Sequence, residues 1–167
     1  MARVNVQQTD VLERIVLRLR DQLSLNDRQC YETLEPLAPP VIPKGGEWFV
    51  SVSPGEGEFV PGEQVPANIT EQWHVIVTAY TRIKLDPTDH DAKLLRDASR
   101  GLLTIKRSVL KAIVGHDLTT GSVDSPDDTF LRNLLYASRS HKPNYDVEKQ
   151  IGWIAIEVVV DFDWDLS

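Results

Sequence analysis

The amino-acid sequence predicts an α+β domain, in which two main helices lie on one face of a largely antiparallel β-sheet, with a short third helix and long exposed loops. Two long segments alternate between apolar and polar residues, which is typical of strands. Two others repeat apolar residues at the helical period. The strands are grouped before the main helix, which favours an antiparallel sheet over a parallel one. The chain has 167 residues, so we expect one domain over 1–167.

The first helix is predicted from Asp10 to Leu23. Its apolar residues recur at helical spacing and are expected to face the core: Leu12, Ile15, Val16, Leu19 and Leu23. Charged residues fill the remaining positions and are expected to lie on the solvent side: Glu13, Arg14, Arg18, Arg20 and Asp21.

Two shorter strands are predicted at 28–35 and 47–53, on either side of a proline-rich stretch that suits neither a helix nor an inner strand. The segment from Ser53 to Asn68 is rich in Pro, Gly and Glu and has no basic residue. We predict that it is an exposed excursion, a long hairpin with Phe59 and Val60 near its tip. Long loops with apolar tips usually contact a partner.

A strand at 71–84 is predicted next, followed by a helix from about Asp89 to Val114 that Gly115 ends. The buried stripe of this helix comprises Leu95, Ala98, Leu102, Ile105, Val109 and Ile113. The opposite stripe is basic and comprises Lys93, Arg96, Arg100, Arg107 and Lys111. Such a stripe is either an ordinary solvated face or a subunit contact.

The C-terminal part is predicted to hold a short helix after Ser125, a polar connection at 138–150 and a long strand at 151–164. One face of that strand is apolar throughout. The other face turns acidic towards its end, with Glu157, Asp161, Asp163 and Asp165.

Composition excludes several classes of function. The net charge of −7 argues against general binding to nucleic acids or anionic membranes, since both would repel the chain. The single cysteine, Cys30, rules out an intrachain disulfide and is interpreted as a small packed residue. The N-terminal residues lack an apolar leader, so no signal peptide is expected.

Two acidic clusters are candidates for chemistry. A divalent cation could bridge two of Asp161, Asp163 and Asp165, although a solvated acidic face explains them more simply. Asp86, Asp89, His90 and Asp91 could form the site of a metal-dependent hydrolase, but turn formation and helix capping also account for them. No nucleophile, phosphate-loop or dinucleotide motif is present. We therefore expect no catalytic residue, no metal and no cofactor.

The element order resembles that of phage tail terminator (tail completion) proteins of the lambda type. The segments that carry the resemblance are TDVLERIVLRLRDQL, TEQWHVIVTAYTR, AKLLRDASRGLLTIKRSVLKAI and GWIAIEVVVDFDW. The resemblance implies a virion subunit, assembled in the host cytoplasm, whose copies form a hexameric ring at the head-proximal end of the tail. Such a ring stops growth of the tail tube, contacts the tube protein and the neck protein, and lets DNA pass.

The charge pattern gives hypotheses for two sets of residues in such a ring. Glu157, Asp161, Asp163 and Asp165 are expected to border the channel, where negative charge repels DNA phosphates. Lys93, Arg96, Arg100, Arg107 and Lys111 are expected to contact Glu56, Glu58, Phe59 and Glu63 of a neighbouring copy. Three alternatives stay open: another head–tail connector subunit, a monomeric adaptor and the metal-dependent hydrolase.

Overall fold

The computed structural model describes residues 8–34, 48–60, 68–82, 92–116, 118 and 135–165, without the side chains of residues 68, 92 and 162–165. The elements follow in the order α1 (Gln8–Leu23), β1 (Cys30–Glu32), β2 (Trp48–Phe59), β3 (Asn68–Arg82), α2 (Ala92–Arg96), α3 (Leu102–Ile113), β4 (Tyr136–Ser140), β5 (Asn144–Asp146) and β6 (Ile151–Asp165).

The six strands form one mixed sheet in the order β1-β2-β3-β6-β4, with β5 also paired to β6. Strands β1 and β2 are parallel, and every other pair is antiparallel. The two longest strands, β3 and β6, are paired from Asn68↔Asp165 to Arg82↔Ile151 without a break. The predicted α+β class, with a largely antiparallel sheet, is confirmed.

The main core lies between one face of the sheet and helices α1 and α3. The inward residues of β3 and β6 are fully or almost fully buried, and they are Trp73, Val75, Val77, Ala79, Ile154, Ile156, Val158 and Val160. These are the residues that alternation predicted for the apolar faces of both strands. Burial of each large aliphatic side chain contributes about 1.5–3 kcal/mol to folding.

A second apolar cluster lies on the opposite face of the sheet and was not predicted. Phe49, Tyr80 and Ile151 are buried there, with Trp153 packed against them. The rings of Phe49 and Tyr80 are stacked, with centroids 4.9 Å apart. Burial raises the pKa of Tyr80, whose hydroxyl lies 3.3 Å from the hydroxyl of Ser51. This face is therefore apolar at one end and polar at the other.

The predicted single helix from about Asp89 to Val114 is wrong in one respect, because the described part of this segment contains two helices. The chain leaves α2 at Asp97, whose Oδ1 accepts hydrogen bonds from the backbone N–H groups of Ser99 and Arg100. Gly101 then packs against the preceding turn, where a Cβ atom would lie 2.6 Å from the backbone N and O of Asp97. Gly115, with φ 83°, follows α3 as predicted.

Two arginines of α1 lie in the interior and not on the predicted solvent side. Arg14 and Arg18 are only 2% and 9% exposed. Arg18 Nε donates to the carbonyl oxygen of Ala112 at 2.6 Å, and Arg14 Nη1 donates to that of Leu118 at 3.1 Å. Cationic side chains suit the last carbonyls of a helix, so Arg18 joins α1 to the end of α3.

The predicted polar connection at 138–150 is also wrong, because it contains most of β4 and all of β5. In the predicted hairpin between 53 and 68, β2 continues to Phe59 and pairs with β3 in antiparallel fashion, with Phe59 opposite Glu71. Residues 61–67 of this hairpin lie outside the described residues. The predicted short helix after Ser125 lies outside the described residues.

Candidate functional site

Strands β2, β3 and β6 continue side by side to the far end of the hairpin. Glu58 is opposite Gln72, which is opposite Asp161, so these three residues form one row across the strands. Residues directly opposite each other lie on the same face of a sheet. The far end of the sheet therefore brings an acid of the hairpin and an acid of the closing strand to the same face.

The predicted acidic face of β6 begins at Glu157, which is only partly exposed. His141 Nε2 lies 2.7 Å from Glu157 Oε1, and His74 Nδ1 lies 3.5 Å from Glu157 Oε2. His74 comes from β3, and His141 follows β4, so three neighbouring segments meet at this carboxylate. Protonation of either imidazole would offset the charge of Glu157.

Asp161 lies four residues further along β6 on the same face, with Val159 between it and Glu157. Its Oδ1 is buried and has no hydrogen-bond partner within the described part of the chain. Burial raises the pKa of Tyr136, and the nearby Asp161 carboxylate raises it further. Asp163 and Asp165 follow in the backbone register opposite Thr70 and Asn68. Their side chains lie outside the described residues.

Another carboxylate in this region belongs to the core side and was missed by the sequence interpretation. Glu71 is 8% exposed, and Gln8 Nε2 donates to its Oε2 at 2.9 Å. The Glu71 side chain lies directly over Gly57 of β2, where a Cβ atom would overlap its carboxylate. In the sequence, the only indication that Glu71 approaches β2 closely is Gly57, which lies between Glu56 and Glu58.

The predicted basic stripe is divided between two helices and the turn between them. Lys93 and Arg96 are exposed on α2, while Arg107 and Lys111 are exposed on α3. Arg100 lies in the turn and is partly buried. The acids expected to meet this stripe in another copy are exposed on β2, at Glu56 and Glu58. Phe59 beside them is 55% exposed, and Glu63 lies outside the described residues.

The sequence offers two further candidates for chemistry, the Asp86–Asp91 cluster and Cys30. Within the described ranges, no group of three or more His, Cys, Asp or Glu residues is arranged to hold a metal ion. The Asp86–Asp91 cluster lies outside those ranges. Cys30 is fully buried, and its burial raises the pKa of the thiol to about 12, so it is a packed residue as predicted.

No helix among the described residues is long and apolar enough to cross a membrane.

Comparison with known proteins adds a likeness of fold. No protein-family model matches the sequence, and no curated protein matches it. A chain in a solved structure titled "Virion of native gene transfer agent (GTA) particle" is similar to this chain over 98% of the length of each. The two have a TM-score of 0.50 and are 15% identical in sequence. At that identity, the likeness shows that the fold is shared.

Proposed function

We propose that this chain is a structural protein of a phage-type virion, in which its copies form a hexameric ring at the head-proximal end of the tail tube. The ring stops growth of the tube and joins the tail to the neck. The observation that carries this proposal is the fold shared with a virion chain along 98% of both chains. The element order that resembles tail terminators supports the more specific role.

The charge of the sheet supports passage of DNA through such a ring. Glu58 and Asp161 share one face and one row, and Asp163 and Asp165 follow further along β6. On the channel wall, this face repels phosphates, so DNA passes without binding. Glu157 contributes less negative charge when His74 or His141 is protonated. A chain of net charge −7 suits this role better than it suits gripping of DNA.

The partners in this proposal are other copies of the chain, the tail tube protein and the neck protein. The test is electron microscopy of the purified chain mixed with tubes assembled from the tail tube protein of the same genome. We expect density at one end of each tube, six-fold symmetry in that density, and no further lengthening of capped tubes when more tube protein is added. Twelve-fold rings that bind no tube end would instead indicate a connector, and a chain that never binds tubes would refute the role.

A variant tests the channel face separately. The triple substitution Asp161→Asn, Asp163→Asn and Asp165→Asn removes three negative charges and leaves the shape of the side chains almost unchanged. If the face borders the channel, isolated rings of this variant should retain short duplex DNA more strongly than wild-type rings, most clearly at low salt. Equal retention would place these acids away from the DNA path.

A further inference from the structure

Several strand edges have no strand beside them among the described residues, and two of these edges, at opposite sides of the sheet, differ in charge. One is β4, which pairs with β6 on its inner side. The other is the end of β2 from Pro54 to Phe59, because β1 covers β2 only from Val50 to Val52. An edge strand exposes backbone N–H and C=O groups that can pair with another chain.

The two edges carry opposite charge. All five residues of β4 are exposed. Its edge is basic, because Arg139 and Lys142 lie between residues 135 and 145, where no acidic residue occurs. The end of β2 is also exposed and carries Glu56 and Glu58 with no basic residue from 53 to 60. Each edge also has an exposed aromatic residue, with Tyr136 44% exposed and Phe59 55% exposed.

We propose that β4 of one copy pairs with the free end of β2 of another copy, which extends the sheet from one subunit to the next. Pairing of two β2 ends would bring four glutamates together, and pairing of two β4 strands would bring two arginines together. Like charges directly opposite one another destabilise a strand pair, whereas opposite charges stabilise it. Charge therefore selects the pairing of unlike edges.

The directions and faces of the strands suit this contact. Strands β2 and β6 run the same way and β4 runs the opposite way, because each neighbouring pair from β2 to β4 is antiparallel. Copies placed side by side in one orientation thus present an antiparallel pair. The bulge in β4 places Tyr136 and Arg139 opposite Val159 and Glu157, on one face. Glu58, opposite Gln72, lies on that same face.

A contact between two different surfaces of the same chain repeats from copy to copy, and it gives a ring when the rotation closes. This inference deepens the proposed function, since it names the surface that joins neighbouring copies. It differs from the contact of the basic helix stripe with a neighbour's acids. Helical backbone groups are already paired within the helix, so that stripe offers only exposed ion pairs, which contribute about 0–1 kcal/mol each.

The experiment uses two charge variants of the full chain, one per edge. Arg139→Glu makes both edges acidic, and the double substitution Glu56→Lys with Glu58→Lys makes both edges basic. We expect each variant alone to assemble at least about tenfold more weakly than wild type in sedimentation velocity, in solution or on tail tubes. An equal mixture should recover rings in which the two variants alternate, because every junction then joins an acidic edge to a basic one.

Arg28→Glu, exposed in the turn between α1 and β1, is the matched control and should assemble as wild type does. The inference is overturned if Arg139→Glu assembles normally, if the mixture fails to recover, or if wild type forms no assembly on its own or on tubes. Rings that need these edges but never bind tubes would refute the tail role alone.

Discussion

The turn between α2 and α3 allows a substitution for which the sequence pattern and the structure predict opposite signs. If residues 89–114 formed one continuous helix, Gly101→Ala would stabilise it by about 1 kcal/mol through helix propensity. In the structure, a Cβ atom on residue 101 lies 2.6 Å from the backbone N and O of Asp97 and 2.8 Å from the carbonyl oxygen of Leu95. These are backbone atoms, so no side chain can rotate away to make room.

The expected cost follows from these distances. Carbon atoms and their neighbours prefer separations of about 3.5–4.0 Å, so the new methyl group overlaps three backbone atoms by roughly 1 Å. Overpacking of this kind costs about 1–3 kcal/mol. Because Gly101 has φ −64° and ψ 137°, which alanine adopts without strain, the unfolded-state gain of about 0.4–1 kcal/mol still applies. The net effect is a loss of about 1–2 kcal/mol.

Urea unfolding measures this loss, followed by tryptophan fluorescence, to which Trp73 in the core contributes. A loss of that size lowers the melting temperature by about 2–8 °C in a chain of this length. Arg107→Ala, at an exposed site of α3, is the control and should change stability by less than about 0.5 kcal/mol. A more stable Gly101→Ala variant would show that the helix is continuous and that the turn described above is not formed.

Three further predictions concern single sites. The pKa of Asp97 is lowered mainly because the backbone N–H of Arg100 donates to its carboxylate, so Asp97→Ala should lower the melting temperature at neutral pH. The difference in melting temperature between wild type and variant, measured by scanning calorimetry, should shrink as pH falls below 3.8 through the folded-state pKa. Cys30 should resist a thiol reagent at pH 8 and react at the rate of unfolding, whereas labelling as fast as that of a free thiol would refute its burial. Gly57→Ala should displace the Glu71 carboxylate and destabilise the chain by about 1 kcal/mol in urea titrations, and an unchanged midpoint would contradict the close approach.

The long strands could be predicted from the sequence because each has one face on the core. Alternation placed Trp73, Val75 and Val77 correctly, and the same rule held for Ile154 to Val160. Strand β4 could not be found in this way, since all its residues are exposed and no apolar alternation marks it. Its position depends on pairing with β6, which is a property of the folded chain.

The arginines of α1 show a different limit. Arg14 and Arg18 occupy positions that helical periodicity assigns to the flank of the apolar stripe, and a charged residue there is normally solvated. Both are buried because carbonyl groups at the end of α3 and beyond it accept their hydrogen bonds. Those acceptors lie about 100 residues away along the chain, and no local pattern reports them.

The candidate surfaces were also only partly predictable from the sequence. The acids of β6 could be placed on one face from strand periodicity, and Glu56, Glu58 and Phe59 could be placed on an exposed hairpin. The two histidines beside Glu157 could not, because they come from β3 and from the segment after β4. The break between α2 and α3 could be predicted from the sequence, since the segment DASRG combines Asp97, which favours turns, with a glycine four positions later.

The uninterrupted pairing of β3 with β6 has a consequence for synthesis of the chain on the ribosome. Strand β6 follows β3 by about 70 residues, so a nascent chain exposes one backbone edge of β3 for several seconds before the strand that pairs with it emerges. Until then, β1, β2 and β3 are the largest part of the sheet that can form. Charged residues on an exposed edge oppose contact between nascent chains, and at that stage the exposed end of β2 carries Glu56 and Glu58.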